Sequence, residues 1–243
     1  LTNLRDIERA ANRIRGTVVR TPLVDVSRHV DRSFRLKAEN LQMAGSFKLR
    51  GASNMMLGLS PEERQCGVVT YSSGNHAQAV AYSARLLGIP ALVVMPVTAP
   101  EVKVLGTKSF GAEVVMEGTT SAERKARAEY EAGVRGLTVV PPFDHPKIIA
   151  GQATVGWEIV QDCPDVDCIY VPIGGGGLIA GVSAAVKQAC PRARVIGVEP
   201  AGAAKMLASL QAGRPKTLRS VNSVADGLLP VRPGDLTFLH VQE

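Results

Sequence analysis

The sequence has few aromatic residues, no long apolar run and no closely spaced cysteines. Aromatic residues make up 4% of the 243 positions, which leaves little for stacking nucleic-acid bases. No apolar run approaches the roughly 18 residues that a membrane span requires. The first residues, Leu-Thr-Asn-Leu-Arg-Asp-Ile-Glu, are typical of an amphipathic helix and not of a secretory signal. We therefore expect a cytoplasmic protein that binds neither nucleic acid nor a membrane.

The cysteines and the charges also exclude several classes of protein. Cys66, Cys163, Cys168 and Cys190 form no C-x-x-C pair, so we expect reduced thiols and no zinc site. The net charge is +6, but basic and acidic residues alternate along the chain and form no basic block. The excess charge predicts at most a mild attraction for anionic metabolites.

Apolar strands alternate with helical stretches along most of the chain. This alternation predicts an α/β fold whose mainly parallel sheet is covered by helices on both faces. Residues 67–142 contain enough elements for a small domain inserted into a large one, which comprises 1–66 and 143–243. The tail after Gly213 is predicted to be irregular. The predicted helices are 3–15, 46–57 with Ser46 as N-cap, 75–87, 100–110, 120–132, 147–162, 177–189 and 201–211; the predicted strands are 34–38, 67–71, 91–95, 112–116, 137–140, 167–173 and 194–198.

Lys48 lies in a largely apolar stretch, Gly45-Ser46-Phe47-Lys48-Leu49-Arg50-Gly51. A lysine among apolar neighbours loses its proton more easily, and the free amine forms a Schiff base with a carbonyl cofactor. A lone lysine is most often a surface residue. The interpretation therefore depends on two further segments.

Two turns each join a predicted strand to a predicted helix, where free backbone N–H groups favour an anion. One is the polar turn, Ser72-Ser73-Gly74-Asn75-His76, which offers more hydrogen-bonding groups than a helix cap needs and suits a carboxylate. The other is the glycine turn, Gly174 to Gly177, whose apolar flanks favour phosphate binding over a flexible linker.

The glycine turn also fits a different class of protein. Gly175-x-Gly177-x-x-Ala180 satisfies a dinucleotide fingerprint, and Glu199 lies at the spacing expected of a ribose-binding acid. An NAD-binding oxidoreductase is therefore an alternative, although it gives no role to Lys48 or to the polar turn.

Together these segments resemble the fold-type II pyridoxal-phosphate enzymes, most closely the branch that contains threonine dehydratase, serine dehydratase and serine racemase. The resemblance covers essentially the whole chain. It implies a two-lobed, tryptophan-synthase-β-like fold and a homo-oligomer, either a dimer or a tetramer. Further matching pieces are Phe143-Asp144, Ile149-Ala150-Gly151-Gln152, Val198-Glu199-Pro200 and Ala225-Asp226-Gly227.

The resemblance implies a role for each segment. Lys48 would form the Schiff base with pyridoxal 5'-phosphate, and Asn75 would bond its ring hydroxyl. Ser73 would also serve as an acid or base on the ring face opposite Lys48. The remaining implied contacts are Phe47, Gly174, Gly175, Gly176, Gly177 and Leu178 for the cofactor, and Ser72, Ser73, Gly74, Asn75 and His76 for the substrate carboxylate.

The implied reaction removes water and then ammonia from L-threonine or L-serine, and yields a 2-oxo acid. Lys48 would take the α-proton, and the cofactor would carry the carbanion chemistry. Racemisation on the same scaffold is the nearest alternative, and Phe143 favours the dehydratase.

The chain departs from the family pattern in two places. Some members of the branch bind a divalent cation through a Glu, a backbone carbonyl and an Asp. Here Glu199 and Ala203 match, but the third position is Lys205, so we expect no metal and an ion pair between Lys205 and Glu199. Family members also continue beyond the position of Glu243. We expect the C-terminal part of the large lobe to be missing, which leaves a non-catalytic truncated form as a further alternative.

Overall fold

The computed structural model describes residues 1–30 and 32–243. Within them, helices and strands alternate as the sequence predicts for an α/β fold. The helices are α1 Leu4–Ile14, α2 Lys48–Leu57, α3 Pro61–Cys66, α4 Asn75–Leu87, α5 Glu101–Ser109, α6 Ser121–Arg135, α7 Pro146–Asp162, α8 Gly177–Ala189, α9 Lys205–Ala212 and α10 Asp235–Gln242. The strands are β1 Leu23–Asp25, β2 Arg35–Lys37, β3 Val68–Tyr71, β4 Ala91–Met95, β5 Glu113–Met116, β6 Thr138–Val139, β7 Cys168–Pro172 and β8 Arg194–Val198.

A four-stranded parallel sheet in the order β5-β4-β3-β6 forms one layer of the molecule. Side chains of β4 alternate between its faces, as the pleat requires. Val93 and Met95 pack against α4, whereas Leu92 and Val94 pack against Ala128 of α6. Helices therefore cover both faces. This sheet lies inside the range predicted for the small domain, whose boundaries remain a prediction.

The rest of the structure is organised around α7, which contacts α1, α2 and α8. Glycines permit these close approaches: a Cβ at Gly151 would lie 2.6 Å from Gly51 Cα of α2, and one at Gly181 of α8 would lie 2.5 Å from Ala153 N. The parallel pair β7-β8 packs beside α8, and the antiparallel pair β1-β2 completes this part. The arrangement brings the start of α2 and the start of α8 to one region.

Four elements, α4, β4, α8 and β8, have the predicted bounds, and most of the others differ by one to three residues at an end. Three predictions are wrong. The tail after Gly213 is not wholly irregular, because α10 forms there. The sequence also predicted neither β1 nor α3, and the helix predicted at 201–211 is divided into a 3-10 turn at Ala201–Ala203 and α9. Ser46 does not cap α2: the N-cap is Phe47, and the Ser46 hydroxyl is buried without a hydrogen-bond partner among the described residues. In the part of the chain described here, no helix is long and apolar enough to span a membrane.

Candidate active site

Lys48 is the first residue of α2 and is half-buried. Its Nζ donates a hydrogen bond to Pro142 O at 2.6 Å and lies 5.3 Å from the centre of the Phe47 ring. No carboxylate of the described residues forms an ion pair with it. Burial without a counter-charge lowers the pKa of Lys48 to about 8. The free, nucleophilic amine is therefore a minority form at neutral pH, but a far larger share than in a solvated lysine.

Arg50 fixes the helix that carries Lys48. Its guanidinium has no exposed surface and pairs with Glu39 at 2.7 Å and with Glu158 at 2.6 Å. Glu39 follows β2 and Glu158 belongs to α7, so one side chain joins α2 to two other elements. Two carboxylates around a buried guanidinium satisfy its planar donors. The sequence places Arg50 two positions after Lys48 but does not indicate these partners.

The glycine turn connects β7 to α8 and has no room for side chains. A Cβ at Gly175 would lie 2.2 Å from Phe143 Cδ1, and one at Gly174 would lie 2.8 Å from Gly227 O. Gly176 has φ +99°, a conformation that favours glycine. No side chain caps α8, so the N–H groups of its first turn remain free for an anion.

Two supports of the glycine turn were not predicted. Gly175 O accepts hydrogen bonds from Gly234 N at 3.1 Å and from Thr237 Oγ1 at 2.7 Å. Asp144 in turn accepts from the backbone N–H groups of residues 235, 236 and 237, and so stabilises the start of α10. Thr237 lies 62 positions from Gly175. No local pattern in the sequence indicates that contact.

The polar turn is more open than the glycine turn. Ser73 and Asn75 are exposed, and the Ser73 hydroxyl has no hydrogen-bond partner among the described residues. The Ser72 hydroxyl accepts from Gly74 N at 3.3 Å. Gly74 is the N-cap of α4 and provides no side-chain cap. The first N–H groups of α4 are therefore available to an anion.

His76 differs from its neighbours in the polar turn. Its side chain is 1% exposed, Nε2 donates to Val140 O at 3.1 Å, and Nδ1 is buried without a partner among the described residues. Burial and then the nearby charge of Lys48 lower the pKa of His76 to about 3. The imidazole is therefore neutral at ordinary pH. Because the side chain points into the core, only the backbone N–H of His76 is available to a carboxylate, and the predicted contact stays a prediction.

The three predicted segments meet at one place. Lys48 contacts Pro142, and the adjacent Phe143 packs on the glycine turn. On the other side, Gly174 lies against Gly227, and a Cβ at Gly227 would lie 4.0 Å from Asn75 Nδ2. The amine, the glycine turn and the polar turn therefore surround one region, which is the arrangement that a cofactor bound to Lys48 requires.

Three further residues named in the sequence analysis, Phe47, Leu178 and Glu199, lie near the same region. Phe47 and Leu178 are partly buried and pack on the same apolar cluster as Ile173. Glu199 lies 3.2 Å from Lys205 Nζ, so the predicted ion pair is present.

The Glu199 carboxylate also accepts from two backbone N–H groups, Met206 N at 2.9 Å and Leu207 N at 3.0 Å. The Glu199 side chain is 8% exposed, and both carboxylate oxygens have partners. It is therefore not free to bind a ribose, which removes the acid that the NAD alternative needed.

A half-buried amine of lowered pKa lies in the same region as a turn whose free N–H groups suit an anion. This combination is the one that a phosphorylated carbonyl compound requires. The family model described as pyridoxal-phosphate dependent enzyme matches residues 14–243. The chain belongs to this family, whose cofactor is pyridoxal 5'-phosphate. The described residues fit that cofactor, because Lys48 offers an amine to its aldehyde and the glycine turn offers N–H groups to its phosphate.

Individual relatives and structures agree with the family. The chain is 45% identical to the L-threonine ammonia-lyase of Thermotoga maritima over 98% of its own length and 60% of the relative's. It is 43% identical to the catabolic L-threonine dehydratase TdcB of Escherichia coli, over 98% of this chain and 73% of that protein. The structure of maize serine racemase superimposes on this chain with a TM-score of 0.96 at 39% identity. The superposition covers 100% of this chain and 74% of the racemase chain.

Proposed function

We propose that the protein is a pyridoxal-phosphate-dependent lyase that removes water and then ammonia from L-threonine or L-serine, giving a 2-oxo acid. The observation that carries the proposal is the Lys48 amine, with its pKa near 8, beside the glycine turn. The names of the relatives support the substrate class. Because the chain spans 60% of the Thermotoga relative, its own activity is a proposal that needs a direct test.

Three groups of residues would hold the cofactor. Lys48 would bind its aldehyde carbon, the glycine turn with the first N–H groups of α8 would bind its phosphate, and Asn75 would bind its ring hydroxyl. When bound, pyridoxal phosphate supplies an electron sink that weakens the bonds at the α-carbon of an amino acid.

The chain's own residues would orient the substrate and move its proton. The free N–H groups at the start of α4 and the hydroxyls of Ser72 and Ser73 would bind the carboxylate and fix the α-carbon. The Lys48 Nζ, once free, would accept the α-proton, since an amine with a pKa near 8 is well matched to neutral pH. Phe143, packed on the glycine turn, would limit the access of water to that side.

The test begins with the purified chain and added pyridoxal phosphate. We expect a yellow adduct that borohydride bleaches, followed by 2-oxo acid when L-threonine or L-serine is added. Lys48→Ala should lose both signals. Lys187→Ala is the matched control, because Lys187 is also a lysine that donates to a backbone carbonyl but lies in the last turn of α8.

Each other outcome has a definite meaning. A wild-type chain that forms no adduct contradicts the proposal. An adduct without 2-oxo acid from either substrate supports the non-catalytic alternative instead.

A serine racemase is the second candidate. Its support is the exposed, unpartnered hydroxyl of Ser73 in the polar turn of the described structure, together with the similarity to maize serine racemase. A racemase needs an acid or base on the ring face opposite Lys48, and Ser73 would serve there. A chiral assay of the products from L-serine separates the two: D-serine lost in Ser73→Ala, with 2-oxo acid retained, would favour the racemase.

A further inference from the structure

Lys205 is a lysine with no exposed surface, and the proposed chemistry does not use it. Buried lysines are rare because an ammonium loses its hydration, so each one needs oxygen partners. Its Nζ has four: Ile173 O at 2.8 Å, Ala203 O at 3.0 Å, Leu228 O at 3.0 Å and Glu199 Oε1 at 3.2 Å. The ammonium thus lies in a cage of three backbone carbonyls and one carboxylate.

These oxygens belong to three separate segments of the chain. Ile173 directly precedes the glycine turn, and Ala203 ends the 3-10 turn before α9. Leu228 ends the 3-10 turn Asp226–Leu228, whose Gly227 O lies against Gly174. Gly227 also lies beside Asn75 of the polar turn. The ammonium of Lys205 therefore joins the glycine turn to residues 226–228, which lie between the glycine turn and the polar turn in space.

A simple ion pair with Glu199 does not account for this geometry. The Glu199 carboxylate already accepts from Met206 N and Leu207 N at the start of α9. An ion pair would also leave the three carbonyls unexplained, since carbonyl oxygens that face one point repel one another unless a cation or a hydrogen-bond donor lies there. Burial lowers the pKa of Lys205, and Glu199 opposes that effect. The oxygen set is the kind that hard cations prefer.

We propose that Lys205 is a positioning residue that acts as an internal cation: its ammonium holds the glycine turn against the 226–228 segment, so that the phosphate site is formed before the phosphate arrives. The inference relies on the proposed function only for the identity of the anion. It concerns the affinity for phosphate, which is measurable without turnover.

The first test compares phosphate binding by folded proteins. We expect Lys205→Met, whose side chain is nearly as long but uncharged, to bind inorganic phosphate about tenfold more weakly in calorimetry. This is the lower end of the loss seen when an outer-shell partner is removed from a metal site. Lys187→Met is the matched control and should bind as the wild type does. Circular dichroism verifies that each variant is folded. A folded Lys205→Met with wild-type phosphate affinity overturns the proposal.

The second test restores the cation from solution. Lys205→Ala lacks the atoms of a propylammonium ion, so propylammonium should recover most of the lost phosphate affinity, whereas propanol of the same size should not. Rescue by propanol, or no rescue at all, contradicts an internal cation and indicates a packing role. If Lys205→Met does not fold, the rescue of Lys205→Ala still distinguishes an internal cation from a packing role.

The two proposals fail in different ways. If the wild type binds phosphate with the Lys205 dependence described but forms no adduct with pyridoxal phosphate, the proposed function is wrong and the internal cation stands. If the adduct forms and Lys205 has no effect, the internal cation is wrong and the function stands. A wild type that binds no phosphate contradicts both.

Discussion

The glycine turn and the polar turn have the same local construction but different surroundings. Each follows a parallel strand, each precedes a helix of 13 residues, and the N-cap of each helix is a glycine without a side-chain cap. The glycine turn is enclosed by Phe143, Gly227 and Thr237. The polar turn exposes Ser73 and Asn75.

The difference agrees with the kind of anion proposed for each turn. A cofactor phosphate stays in place through every cycle, so a rigid and fully supported turn suits it. A substrate carboxylate must enter and leave, which requires access. Rigid support for the resident group and an open edge for the transient one is the general lesson of this comparison.

The largest expected effect comes from filling the enclosed turn. In Gly175→Ala the new methyl would overlap the Phe143 ring, and we expect a loss of roughly 1–3 kcal/mol in the free energy of unfolding from overpacking, with phosphate binding lost. Gly133→Ala is the control: nothing lies within 4 Å of a Cβ there, and the helix α6 should gain roughly 0.5–1 kcal/mol. Urea unfolding measures both. If Gly175→Ala is as stable as the wild type, the glycine turn is not enclosed.

A smaller effect is expected from removing one support of that turn. Thr237→Val keeps the shape but loses one of the two donors to Gly175 O, which we expect to cost about 0.5–1.5 kcal/mol, since Gly234 N still donates to that carbonyl. Thr237→Ser retains the hydroxyl and should retain phosphate affinity, unlike the valine variant. Calorimetry with inorganic phosphate compares them. Wild-type affinity in Thr237→Val would show that Gly234 N alone supports the turn.

The pH dependence of Lys48 tests the site between the two turns. Its pKa in the folded protein is about 8, below the unfolded value of 10.5. Between these values the unfolded chain binds more protons than the folded one, so the stability of the cofactor-free protein should rise with pH from about 8 to 10.5. The rate of adduct formation with pyridoxal phosphate should likewise rise through pH 8.

The control is Lys48→Met, in which this part of the stability rise should disappear. Urea unfolding of the wild type and of Lys48→Met at several pH values measures the difference. A rate that rises only near pH 10 would show that the amine is solvated.

The smallest effect on stability is expected at the open turn. Ser73→Ala removes an exposed hydroxyl without a partner in the described structure, so the free energy of unfolding should stay within about 0.5 kcal/mol of the wild type. Adduct formation with pyridoxal phosphate should also be unchanged, whereas binding of an amino-acid carboxylate should weaken. Thermal unfolding and substrate titration monitored by the visible spectrum measure these. A large loss of stability would mean that Ser73 supports the fold.

Local signals explain which elements the sequence could predict. Helices α4 and α8 and strands β4 and β8 have apolar runs with clear limits, such as Gly88 after α4, which adopts the left-handed conformation of a helix end. Helix α10 has no comparable signal. Its start depends on Asp144, more than 90 positions away, which accepts from three of its N–H groups.

The same limit applies to the candidate site. The sequence placed His76 with the polar residues around it, but a residue in the first turn of a helix can face either solvent or core. The packing of α4 directs the His76 side chain inward to Val140 O. That orientation leaves only its backbone N–H for an anion.

The order of segments in the sequence determined the α/β fold and singled out Lys48 as the candidate reactive lysine, because both inferences depend on neighbouring residues and their periodicity. The tertiary structure alone decided what surrounds them: the three carbonyls around Lys205, the Thr237 support of Gly175 and the contact of Lys48 with Pro142 O. Each of these depends on atoms from distant parts of the chain, and no local pattern encodes a distance between such parts.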